Sequence, residues 1–90
     1  MEKRTLARKF GALVQRLRLE RGFSQEAFAQ ACSLERAHVG KIERGEVNVT
    51  VATTLKLVEG LDVTLASFFS ELEKELGSVG EEDRSPRWES

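Results

Sequence analysis

The 90 residues include one cysteine, one histidine and one proline, and no tyrosine. A lone Cys32 excludes an intrachain disulfide, and with a lone His38 there is no Cys/His set for structural zinc. This usage suits a reducing cytoplasm. No apolar run approaches the ~18 residues of a membrane span. The basic N-terminus, MEKRTLARKFGALV, reads as an amphipathic helix and not as a signal peptide. No alternating β pattern and no internal repeat occurs. No acid/base or metal constellation points to an enzyme, and neither a cofactor nor a small-molecule ligand is expected.

What is present is a division of charge. The formal net charge is −1. Residues 1–45 nevertheless carry ten Lys/Arg against five Asp/Glu, whereas residues 46–90 carry four against ten. A basic half can attract a polyanion, and an acidic half limits indiscriminate adhesion. Ninety residues allow one domain, expected over 4–77. The segment 78–90, SVGEEDRSPRWES, is acidic and almost without apolar content, and is expected to be disordered, Trp88 included.

Helical periodicity accounts for the domain. Leu6, Phe10, Leu13, Val14 and Leu17 form one stripe over Thr5–Glu20, closed by Gly22. Ser24 is an N-cap for a short helix to Cys32, with Ala27, Phe28 and Ala31 as its buried face. A second short helix, 35–44, follows almost at once. Thr50 caps a fourth helix, Val51–Glu59, expected to bury Val51, Leu55 and Val58. Thr64 caps a fifth carrying Leu65, Phe68, Phe69, Leu72 and Leu76. The fold class is therefore all-α, a compact five-helix bundle.

Two short helices joined by a tight turn have the geometry of the helix-turn-helix. The second of them buries only Val39 and Ile42, which leaves Arg36, Ala37, Gly40 and Lys41 free to enter a major groove of double-stranded DNA. Gly40 either lets that helix approach DNA closely or merely loosens it. His38 is either a contact to phosphate or base, or a partly exposed surface residue.

The marks R-x-R-x-E-R-G, SQEAFA, V-x-K-I-E-R-G and LDVTLASFF, spread over Phe10–Phe69, resemble the Xre family of phage-repressor and Cro-type regulators. Within it, LERAHVGKIERGEVNVT is most similar to the controller proteins of restriction–modification systems. The resemblance implies a lambda-repressor-like DNA-binding domain. It places Arg36, Ala37 and Lys41 at base-reading positions and Gln25, Arg44 and Asn48 at the DNA backbone, with His38 and Ser24 beside them as further candidates for base and backbone. It also implies a buried ion pair of Arg18 with Glu43.

The sequence departs from the family pattern in several places. Ser33 stands where a turn glycine is usual. Glu35 replaces the capping Ser or Thr, so Ser33 caps the recognition helix instead or that helix frays. Val47 replaces an arginine expected to touch phosphate.

Leu57, Leu61, Val63, Leu65, Phe68, Phe69 and Leu72 exceed what so small a core needs. Some of them are expected to form an isologous homodimer contact and the rest to be core. The expected function is a dimeric transcriptional regulator on a pseudo-palindromic operator, blocking RNA polymerase or recruiting it. The alternative is an antitoxin-type module whose fifth helix holds a toxin.

Overall fold

The computed structural model describes residues 1–77, so the expectations for 78–90 and Trp88 lie outside the described residues. The elements are α1 (Lys3–Glu20), α2 (Gln25–Cys32), α3 (Arg36–Glu43), α4 (Val51–Leu61) and α5 (Leu65–Leu76), with no strand among the described residues. None of these helices is long and apolar enough to cross a membrane.

Capping explains most of the boundaries. Ser24, Thr50 and Thr64 each accept a hydrogen bond from the backbone N–H three residues on, which satisfies one orphan donor of the first turn. Four helices end in the same way, with an N–H donated back across the last turn to the carbonyl five residues earlier. The pairs are Phe23 to Arg18, Leu34 to Ala29, Glu46 to Lys41 and Val63 to Val58. Such a turn needs one left-handed residue. Ser33 and Asp62, both at φ 57°, take that conformation without being glycine. Ser33 therefore ends α2 and does not cap α3. The N-cap of α3 is Glu35, with no side-chain bond.

The core is built from Phe10, Leu13 and Val14 of α1, Phe28, Ala29 and Cys32 of α2, Val39 and Ile42 of α3, Leu57, Val58 and Leu61 of α4, and Phe68 and Leu72 of α5. Phe10 meets Phe68 edge-on, with ring centroids 5.3 Å apart. In this frame α2 packs on α3 and α4, and α1 packs on α3 and α5.

The sequence expectations for two helices, α4 and α2, are corrected. The buried face of α4 is Thr54, Leu57, Val58 and Leu61, whereas Val51 and Leu55 are exposed. The helix runs through Gly60 to Leu61, because a glycine is what lets it press on Cys32. A Cβ at Gly60 would fall on the Cys32 thiol. In α2 the buried residues are Phe28, Ala29 and Cys32, while Ala27 and Ala31 face outward. Leu57, Leu61 and Phe68 are at most 1% exposed and Leu72 is buried, so these four belong to the core share of the apolar set in α4 and α5. The apolar surface that remains on α5 is a shallow groove along Ala66, Phe69 and Leu76, with Phe69 45% exposed.

Candidate nucleic-acid interface

The face that α3 presents follows from its two anchors. Val39 and Ile42 are 0% and 1% exposed, and at spacing i, i+3 they fix the rotation of the helix. Arg36, Ala37, Lys41 and, at the C-cap, Arg44 are thereby turned to the surface, with His38 half-buried at their edge. Positions 36, 37, 40, 41 and 44 share one side of a helix. Among the described residues neither Arg36 nor Lys41 has a salt-bridge partner, so their charges are available to an outside anion.

The height of α3 above the core is set by two further features. Gly11 of α1 lies against the carbonyls of Ile42 and Glu43, and a Cβ there would collide with both. The last turn of α3 therefore rests directly on the α1 backbone. Beside it, Arg18 and Glu43 form a buried bidentate pair, with Nε to Oε2 at 2.6 Å and the second guanidinium nitrogen to Oε1 at 3.1 Å. The remaining Arg18 nitrogen donates to the Phe23 carbonyl at 2.8 Å. This pair joins α1, the turn after it and α3 through one polar cluster.

The expected backbone contacts are placed less uniformly. Gln25 is half-buried, and its Nε2 donates to Glu43 Oε1 at 2.9 Å, so it braces the ion pair from the start of α2. Ser24 accepts from the Ala27 N–H at 3.1 Å, which leaves its hydroxyl proton free to donate outward. Asn48 is exposed, beside Lys3, Arg4 and Gly45 in a small cleft between α1 and the loop after α3.

Arg44 is exposed but occupied: its Nε donates to Glu46 Oε2 at 2.7 Å and a terminal nitrogen to Oε1 at 3.3 Å. That hydrogen bond holds the Glu46 carboxyl below its usual range and raises Arg44. A Cβ at Gly40 would meet nothing but the flexible Arg44 guanidinium, at 3.0 Å.

Sequence reasoning did not single out Gly11 or Glu46. The signal for Gly11 was a lone glycine inside an otherwise strong helical stripe, which has a packing reason when it recurs as a close approach. The signal for Glu46 was an acid two residues beyond a cation on the proposed DNA side.

The comparisons with known proteins agree with this geometry. Residues 9–67 match the family model described as "Helix-turn-helix domain". The chain is 40% identical over 68 residues to "Control protein C.MunI" of Mycoplasma sp, covering 74% of this chain and 92% of that protein. It is also 40% identical over 65 residues to the "HTH-type transcriptional regulator SutR" of Escherichia coli (strain K12), covering 72% of this chain but 36% of the longer protein. Among solved structures, the wild-type restriction–modification controller protein C.Esp1396I superposes with a TM-score of 0.75 at 34% identity, covering 79% of this chain and 92% of that one. The same protein as a tetramer on its natural 35 base-pair operator gives 0.76 at 34% identity, covering 79% and 93%.

Proposed function

The chain belongs to the helix-turn-helix family, among the relatives of the restriction–modification controller proteins, and on that premise we propose that it regulates transcription by binding operator DNA. The observation that carries this reading is the orientation of α3. Two fully buried anchors leave Arg36, Ala37 and Lys41 aligned on an exposed side, with none of the described residues covering them. Arg36 is suited to fork onto guanine O6 and N7, Ala37 to lie against a thymine methyl, and Lys41 to reach a second acceptor or a phosphate. His38, half-buried at the edge of that side, would touch the rim of the same groove. Ser24, Arg44 and Asn48 supply the phosphate contacts, with Gln25 as the brace that aligns α2.

A single module of this size buries too little DNA surface for tight binding, which favours a homodimer on a pseudo-palindromic site. Of the expected interface set, the exposed Phe69, with the half-buried Leu65 and Val63 beside the α4–α5 turn, is the apolar surface left for the second copy. No catalytic step is part of this function. The protein would act in the cytoplasm, by occluding RNA polymerase or by contacting it from an upstream site. No particular feature of the described residues favours the antitoxin reading over this one.

The test is selection of bound sites from a random duplex pool, followed by titration of the enriched site. A palindromic consensus, with affinity falling as log[salt] rises by about 0.9 per phosphate contact, is the expected result. Recovery of no consensus, with a flat salt response, overturns it.

A further inference from the structure

We propose that Glu46 tunes the strength of the DNA contact by competing with phosphate for the Arg44 guanidinium. The proposal rests on the reading of α3 as the DNA-facing helix. The Nε side of a guanidinium forms one planar fork, which suits a carboxylate or a phosphate but not both at once. Here that fork is filled by both oxygens of Glu46, at 2.7 and 3.3 Å. Arg44 lies on the same helical side as Lys41, and the Glu46 carboxylate feels both cations.

The two partners are 58% and 50% exposed at the side chain, so nothing in the fold fixes the pair and water can exchange it. Glu46 also shares its cleft with Lys3, Arg4 and Asn48. The acid therefore lies along the line where a phosphate would be held. A phosphate that takes this same fork must displace Glu46, and the displaced carboxylate stays well within one Debye length of the phosphates. Because phosphate carries no sequence information, the cost applies to every duplex alike. Its effect is to weaken binding to the large excess of non-operator DNA.

The experiment measures binding of wild type, Glu46→Gln, Arg44→Gln and the double variant to two probes. One is the selected operator and the other a scrambled duplex of equal length, both at about 0.1 M salt. Glu46→Gln is expected to bind both probes about two- to fivefold more tightly, the factor of one exposed ion pair. In the Arg44→Gln background that gain should largely vanish, and an unchanged melting temperature confirms that the fold is intact.

Unchanged or weaker binding by Glu46→Gln, with wild type still holding its operator, overturns the competition and leaves the DNA reading standing. So does an equal gain with and without Arg44, which is plain charge repulsion. If wild type binds neither probe at any salt, both readings fall together.

Discussion

At the scale of single residues, the most consequential group is the one that faces inward. Glu43 carries the only described carboxylate that is fully enclosed, and it accepts from Arg18 twice and from Gln25 once. A charge so placed contributes little net stability while paired, but removing its partner strands it. Arg18→Met should cost roughly 3–5 kcal/mol in a denaturant melt. Gln25→Ala, which leaves the pair intact, should cost about 1 kcal/mol. Cys32 illustrates burial without a partner charge. Desolvation pushes its thiol up to about 11, with a backbone hydrogen bond to Gly60 opposing the shift. The native protein should therefore resist thiol alkylation at pH 8 and become reactive only on unfolding, as a reagent titration with and without denaturant would show.

At the scale of elements, α3 is a short helix carrying a glycine in its middle turn. Gly40→Ala should raise stability by about 1 kcal/mol, because the new methyl meets only the movable Arg44 side chain. If α3 seats tightly in the groove, the same variant should bind operator less well, so the melt and the affinity would move in opposite directions. The α1–α5 contact adds exposed charge to the buried Phe10–Phe68 packing. Arg16 reaches Glu20, Glu71 and Glu75 at 3.1–3.2 Å. The hydrogen bond from Arg16, followed by that from Lys74, lowers the Glu71 carboxyl below its ordinary value. A lowered carboxyl contributes stability above its unfolded pKa and loses it as pH falls through the folded value. Arg16→Ala should thus lower the melting point slightly at neutral pH and low salt, with the difference closing below about pH 4. The stripes, the Ser24, Thr50 and Thr64 caps and the two α3 anchors were legible in the sequence, because each is a local pattern of period 3.6 or a cap before it. The true face of α4 was not legible. Val51 and Leu55 fit a helical stripe as well as Leu57 and Leu61 do, and the rotation is selected by packing against the other helices, the approach of Gly60 to Cys32 included. Likewise Arg44 and Gln25 were assigned to phosphate by position, but their hydrogen bonds to Glu46 and Glu43 depend on distances that no spacing rule supplies.

At the scale of the whole molecule, the basic half of the chain supplies α1, α2 and α3, and the acidic half supplies α4 and α5. α3 and its flanks thus belong to the half of the chain whose charge attracts DNA, and the groove along α5 to the half whose charge repels it. A second copy bound through that groove would be kept clear of the duplex and would carry its own reading helix to a neighbouring major groove, about 34 Å away. The core settles which substitution can test this. Phe68 is 1% exposed and touches Phe10, so its truncation would damage the monomer. Phe69, its neighbour, is 45% exposed and contributes far less to that core. Phe69→Glu also adds a like charge to an acidic helix, which penalises self-association more than folding. Sedimentation of the variant should give a monomer at concentrations where the wild type is dimeric, with its melting point little changed. Its affinity for a full operator should drop towards that for an isolated half-site, while half-site affinity stays the same. If Phe69→Glu remains a dimer and holds the full operator as wild type does, the second copy attaches elsewhere, and the exposed Val51 and Leu55 of α4 become the next surface to test.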